Sequence, residues 1–181
     1  MGPMSPIGPM GPIPTPTMNH FNRLGLPRRF ALDPGAIERE YLARSRELHP
    51  DYHRLGSSAE QAASTELSAG LNEAYTTLKD PFKRAEYLLK LDGGPSAGEL
   101  KDVPPEFLEE MLDLRMEIAG LAPDSPQAAA MEKQLASRRD ALLGQVGALL
   151  DGTSPNRLTD ARRLLNATKY VQNLIRDLRA L

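Results

Sequence analysis

From about residue 19 onward the apolar positions of this chain repeat with helical spacing. Over 57–79, Leu67, Leu71, Ala74, Tyr75 and Leu78 recur at i, i+4, i+7, i+8 and i+11, the pattern of an amphipathic helix. Upstream, Ile37, Tyr41 and Leu48 share one face of a segment over 33–48. It opens at Asp33-Pro34, with Asp as N-cap and Pro at the first helical position, and stops at Pro50. A short helix over 19–24 carries Phe21 and Leu24 and is ended by Gly25 and Pro27. Gly56-Ser57-Ser58 caps the third helix. Asp80-Pro81 opens a fourth with Phe82, Ala85, Leu88 and Leu89, closed by Gly93-Gly94-Pro95. Three longer helices come next. One runs from Pro104-Pro105 to about Ala119, one from Ser125-Pro126 to before Gly152, and one from Ser154-Pro155 to the C-terminus. In the last, Ala161, Leu164, Thr168, Val171, Ile175 and Leu178 are spaced 3, 4, 3, 4, 3, the seam of a bundle helix. No run alternates with period two over strand length, so the fold class is all-α.

This pattern divides the chain. Residues 1–18 read MGPMSPIGPMGPIPTPTM, too proline-rich for helix or sheet and without a charged side chain, and are expected to be a disordered tail. The tail has neither the basic and apolar regions of a signal peptide nor the arginines of a mitochondrial transit peptide. Residues 19–92 form a four-helix unit, and 104–181 form a three-helix unit. Between them, 93–103 contains Gly93-Gly94-Pro95-Ser96, a linker composition that predicts two separable units.

Composition narrows the chemistry. The 181 residues include no cysteine, which excludes disulfides, thiolate metal sites and cysteine nucleophiles. The net charge of -2 sets up no basic field for nucleic acid, and 5% aromatics with no tryptophan leave no evident stacking platform for bases. No apolar run is long enough to span a bilayer. Charge is segregated instead. Glu99 to Glu117 holds seven acids against two bases, and Arg157 to Arg179 six bases against two acids, so adjacent antiparallel helices are expected to pair these faces.

Two places stand out as candidate sites. On the helix over 105–119, Phe107, Met111, Leu114 and Ile118 form one stripe, sufficient for a bundle core. Leu108 and Leu112 are offset from it by about 100°, as a second apolar strip flanked by Glu109 and Asp113. On the last helix, Tyr170 and Leu174 are expected to lie off the core seam. Periodicity alone leaves two readings, a wide core face or a partner site. The second place is His49-Pro50-Asp51, at the tip of the helical hairpin made by 33–48 and 57–79. No nucleophile is placed near it, and Pro50 prevents His49 and His53 from sharing one helix as metal ligands. Read alone, it is a helix-ending loop in which Asp51 caps local amides.

Around that loop stand Leu71-Asn72-Glu73-Ala74-Tyr75-x-x-Leu78 and Asp80-Pro81-x-x-Arg84-Ala85-x-Tyr87. Together these resemble the J-domain signature from about Phe21 to Leu91. The resemblance implies a module that stimulates the ATPase of a DnaK/HscA-type chaperone. It implies that His49 and Pro50 shape the loop and that Asp51 offers its carboxylate to a basic group of the chaperone, one charge-assisted contact that can act as a switch. Arg39 and Arg46, seven apart on the outer face of the second helix, are either a solvated face or part of that docking surface. Two departures from the family pattern are Tyr52, where a basic residue is usual, and Arg44, on the core-facing line where an apolar residue is usual.

The C-terminal half contains none of the Gly/Phe-rich, cysteine-rich or β-sandwich parts common among J proteins. Arg84-Ala85-Glu86-Tyr87-Leu88-Leu89-x-Leu91-x-Gly93 and Phe107-Leu108-Glu109-Glu110-Met111-Leu112-Asp113-Leu114-Arg115 are similar to the HscB-type co-chaperones of iron–sulfur cluster assembly. That resemblance covers 19–181. It implies that an IscU-type scaffold protein docks on Leu108, Leu112, Asp113, Met116 and Tyr170, with Met116 standing where the family often has an acid. It further implies a bacterial, cytoplasmic co-chaperone with no cofactor, no metal and no catalytic residue. The competing readings are a J protein for another client and a helical enzyme using His49 and Asp51 as acid and base, which would need a convergent substrate pocket. Asp51→Asn keeps size and removes charge, so it should abolish ATPase stimulation of the cognate chaperone without lowering the melting temperature. Single-turnover ATP hydrolysis checks this, and equal stimulation by both proteins would remove the proposed role of Asp51.

Overall fold

The computed structural model describes residues 18–47, 57–103 and 105–181. The tail up to residue 17, the segment 48–56 with His49, Pro50, Asp51 and Tyr52, and Pro104 lie outside the described residues. Within them the chain forms α1 (His20–Leu24), α2 (Pro34–Glu47), α3 (Ser58–Lys79), α4 (Pro81–Leu91), α5 (Pro105–Ala119), α6 (Pro126–Leu150) and α7 (Arg157–Arg179). No strand occurs among the described residues.

Most helix starts arise from short polar side chains that satisfy the free amides of a first turn. Asp33 accepts from the Gly35 and Ala36 amides at 3.1 and 3.0 Å. Asp80 accepts from Phe82 and Lys83 at 2.8 and 3.0 Å, and Ser125 from Ala128 at 3.1 Å. Ser57 and Glu60 form a reciprocal capping box: Glu60 accepts from the Ser57 amide at 2.7 Å and Ser57 Oγ from the Glu60 amide at 3.3 Å. The last helix departs from expectation. Ser154-Pro155 belongs to a turn, the Arg157 amide donates to the Ser154 carbonyl at 3.1 Å, and α7 starts at Arg157 with no side-chain cap.

Two buried clusters hold the helices together. The larger takes Phe21 and Leu24 from α1, Ile37 from α2, Leu71, Ala74 and Leu78 from α3, and Ala85, Leu88 and Leu89 from α4. It also takes Leu143, Val146 and Leu150 from α6 and Ala161 and Leu165 from α7. The smaller joins Met111 and Ile118 of α5 to the other ends of α6 and α7 through Met131, Leu135, Val171, Leu174, Ile175 and Leu178. α6 and α7 are antiparallel: Arg179 pairs with Glu132 at one end and Arg157 donates to the Leu150 carbonyl at the other. Each core therefore contains one end of this long pair. The N-terminal helices do not close a core of their own, and the two units expected from the linker composition share one.

The joint between them is polar as well as apolar. Arg162 is 2% exposed. Its Nη1 and Nη2 donate to the two carboxylate oxygens of Glu86 on α4 at 2.6 and 2.5 Å, and its Nε donates to Asn166 Oδ1 at 3.0 Å. Asn166 Nδ2 in turn donates to the carbonyls of Leu100 and Asp102 at 3.0 and 3.3 Å. Segment 93–103, which has the composition of a linker, is thus tied to α7. A second tie lies at the α6–α7 corner. Asp151 accepts from the Phe30 and Ala31 amides at 2.7 and 3.1 Å. The Phe30 ring lies on Gly147, where a Cβ would stand 2.2 Å from Phe30 Cδ1. A glycine inside a helix costs about 1 kcal/mol relative to alanine, and here it lets the α1–α2 loop wedge against α6. Asp92 completes the joint, pairing with both Arg28 and Arg157.

Arg162→Met should destabilise the protein by about 2–4 kcal/mol, because it strands the Glu86 carboxylate at a half-buried site. Combining it with Glu86→Gln should cost clearly less than the sum of the single changes. Chemical denaturation of the four proteins measures both, and strictly additive losses would show that the pair does not act as a unit.

Candidate functional site

The described residues carry two candidate docking surfaces, one on the α2–α3 hairpin and one on α5 and α7. The first is the α2–α3 hairpin. Its two helices are locked by the stacked rings of Tyr41 and Tyr75, 4.0 Å between centroids, and by Tyr41 Oη donating to Asn72 Oδ1 at 2.9 Å. Tyr75 also bonds Glu38, which pairs with Lys79 at 3.6 Å. The last described residue of α2, Glu47, and the Ser57 cap of α3 frame segment 48–56. Arg39 and Arg46 are both exposed on α2. Arg39 reaches Asp33 only at 3.4 Å across solvent, a weak tie that leaves its guanidinium available.

Arg44, on the core-facing line of α2, is neither buried nor free. Its guanidinium lies over Gly25, which has φ +66, and its Nε stands 3.8 Å from Glu40. A second departure from the periodicity is Leu67, which the apolar pattern of α3 placed with Leu71 and Leu78. Leu71 and Leu78 are buried, whereas Leu67 is 45% exposed in a groove with Met18, Arg23, Arg44 and Glu47.

The second surface lies on α5 and α7. Met111 and Ile118 are buried and Phe107 and Leu114 pack on the smaller core, as the first stripe requires. Leu108 is 40%, Leu112 60%, Met116 69% and Tyr170 42% exposed. The structure gathers Leu108, Leu112 and Tyr170 into one groove with Met111, Leu174, Arg115 and Asn173. Its volume of about 210 Å³ is below that of pockets for drug-sized molecules, about 300–1,000 Å³, and suits individual side chains of a protein partner. The Phe107 ring meets Tyr170 edge-on at 6.2 Å and props it at the groove wall. Asp113 and Met116 are exposed on the same helix but outside the groove lining.

Leu174 differs from expectation: it is buried, 4% exposed, and forms the floor of the groove rather than its rim. Sequence reasoning also missed Arg115 and Asn173 as polar edges. The expected pairing of the acidic 99–117 stretch with basic α7 forms at Arg163 and Asp102, 3.6 Å apart, before α5 begins. Between α5 and α7 themselves the ion pair among the described residues runs the other way, from Arg115 of α5 to Asp177 of α7 at 2.5 Å. Glu110 turns instead to Arg138 of α6, whose guanidinium bonds hold the Glu110 carboxyl below the ordinary carboxylate value. No group of His, Asp or Glu among the described residues is arranged to hold a metal ion, and no helix there is long and apolar enough to cross a membrane.

Comparison with known proteins matches both halves. Residues 103–179 match the family model described as the HSCB C-terminal oligomerisation domain, and residues 19–87 match the DnaJ domain. A protein named co-chaperone protein HscB homolog from Burkholderia mallei is 36% identical over 151 residues, 81% of this chain and 86% of that protein. Another of that name from Aliivibrio fischeri is 30% identical over 168 residues, 91% of this chain and 96% of that protein. Among solved structures, chaperone HscB from Vibrio cholerae superposes with a TM-score of 0.77 at 28% identity, covering 90% of this chain and 96% of that one. The crystal structure of human co-chaperone protein HscB superposes with a TM-score of 0.80 at 23% identity, covering 99% and 93%, a likeness of fold.

If the groove rim is surface and its floor is core, Leu108→Ala with Leu112→Ala should cost less than about 1 kcal/mol of stability. Leu174→Ala should cost about 2–5 kcal/mol by leaving a cavity. Thermal melting separates the two, and a collapse of the double variant would show that its leucines are core.

Proposed function

The chain belongs to the HscB family of co-chaperones, and from that premise we propose that it brings an IscU-type iron–sulfur scaffold protein to a DnaK/HscA-type chaperone. It forms and breaks no covalent bond in doing so. Its work is binding at two surfaces and holding them in register. The single observation that carries the reading is the α5–α7 groove, in which exposed leucines and a tyrosine stand over a buried floor on the half of the chain that is not the J domain.

In this reading the hairpin presents His49-Pro50-Asp51 to the chaperone. The Asp51 carboxylate pairs with a basic group there, and Arg39 and Arg46 add attraction that is screened by salt. At the other surface, apolar side chains of the scaffold enter between Leu108, Leu112 and Tyr170. Met116 widens the apolar face where relatives often carry an acid, while Asp113 stands beside it as a polar edge. The joint of Arg162, Glu86 and Asn166 keeps the two partners at a set distance and angle while both are bound.

The groove contacts are the anchors of the scaffold interface on this account. Losing two apolar anchors costs about 1–2 kcal/mol each, so the Leu108→Ala, Leu112→Ala protein should bind the scaffold more than tenfold more weakly. It should still stimulate the chaperone's ATPase in the absence of scaffold, because the hairpin is unaltered. Calorimetric titration with the purified scaffold and single-turnover ATP hydrolysis measure the two halves. Unchanged scaffold affinity would sink the client reading of the groove and leave the chaperone reading standing.

A further inference from the structure

A second apolar groove, unrelated to the α5–α7 face, opens on the N-terminal helices. It is lined by Met18, Arg23, Arg44, Glu47, Leu67 and Leu71. Leu71 is its buried floor, and Leu67 and Met18, 45% and 59% exposed, are its walls. Two guanidiniums reach into this region over glycines. A Cβ on Gly25 would stand 2.2 Å from Arg44 Nη2, and one on Gly70 would stand 2.5 Å from Arg23 Nη1. Both glycines leave room for a cation that any other residue would displace.

The donors there are not all used. Arg44 Nε is buried and has no hydrogen-bond partner, and Glu40 at 3.8 Å is beyond hydrogen-bond reach. A buried donor left unpaired is unfavourable, so an acceptor that reached it would bind with a direct gain. The groove therefore asks for a ligand that brings apolar side chains to Leu67 and Leu71 together with uncharged acceptors for arginine. An acidic ligand is not called for, because Glu47 in the lining and Glu40, 3.8 Å from Arg44 Nε, already balance the charges of Arg23 and Arg44.

Residues 1–17 of this chain have that chemistry. They read MGPMSPIGPMGPIPTPT, with proline at 3, 6, 9, 12, 14 and 16, methionine and isoleucine between them, and no charged side chain. In a polyproline II conformation every carbonyl lacks an intrachain partner and is open to a donor. Such a segment is already extended, so little conformational entropy is lost when it docks. The segment joins the described chain at Met18, which itself lines the groove. At about 3.1 Å per residue an extended segment has the reach to cover Leu67 and Arg44, which line the groove with Met18. Covalent attachment makes the contact intramolecular, with an effective concentration on the order of millimolar.

We propose that residues 1–17 occupy this groove, seating methionine or isoleucine side chains on Leu67 and Leu71 and giving backbone carbonyls to Arg44 and Arg23. Arg44, which stands where J domains usually have an apolar residue, is then the residue by which this chain holds its own N-terminal segment. The inference is independent of the client and chaperone readings.

The absence of cysteine permits a clean test. A nitroxide on Ser5→Cys in the full-length, isotope-labelled protein should cut the amide signals of Leu67 and Leu71 to below half, while those of Leu112 and Met116 stay intact. Met10→Ser with Ile13→Ser, two changes within the segment itself, should restore the Leu67 and Leu71 signals. Arg44→Met should do so in part. Equal signals at both ends of the molecule, or broadening that survives the double serine variant, would overturn the proposal. So would broadening in a mixture of nitroxide-bearing chains and separately isotope-labelled chains, because the occupant would then be a second copy.

Discussion

A guanidinium removed from water is the constraint around which this molecule is arranged. Arg162 sits on α7 with almost no solvent contact, and an unpaired charge there would cost several kcal/mol. Its donors are consumed by Glu86 of α4 and Asn166 of α7, and Asn166 fixes the segment that leads from α4 to α5. Three parts of the chain must therefore be in place together before the charge is neutralised. The surrounding hydrophobic cluster supplies attraction without direction. The bidentate pair supplies the direction, since a planar fork meets a carboxylate in few orientations.

This explains which parts of the structure were legible in the sequence. Helix starts were readable because a cap is local: Asp33, Ser57, Asp80 and Ser125 act within three residues of themselves. The seam of α7 was readable because it is periodic. The joint was not, because Arg162 has its partner 76 residues away and an arginine on a helical wheel reads as solvent-facing. The same limit explains the expectation of two separable units. Gly93-Gly94-Pro95-Ser96 does break the helix, with Gly93 at φ +75, but nothing local says that α6 and α7 reach back to complete the first core.

Departures at the surfaces have a related origin. Periodicity gives the direction of a side chain but not whether another helix lies there. Leu67 points along the apolar face of α3 yet stays half-exposed beside Arg44 and Glu47, and Leu174 lines the groove yet is buried in the smaller core. The charge pattern of the 99–117 stretch and α7 held at Asp102 and Arg163 but not along α5 itself. Glu110 had a third helix within reach, and α6 rather than α7 answered it through Arg138. The α5 strip, by contrast, was recoverable: a helix needs one apolar stripe to pack, and Leu108 and Leu112 were left over.

Because Arg162, Tyr170 and Leu174 belong to one helix, α7 is a ruler between the joint and the groove. At about 1.5 Å per residue, the joint lies roughly 12 Å along the axis from Tyr170 and roughly 18 Å from Leu174. Length and rotation along such a ruler cannot be chosen separately: each residue inserted or removed also turns the remainder of the helix by about 100°. The spacing between the two ends can therefore change gradually only in whole turns, about 5.4 Å at a time. Variation in this stretch should be confined to substitution, with insertions and deletions displaced to the turns at 120–125 and 151–156.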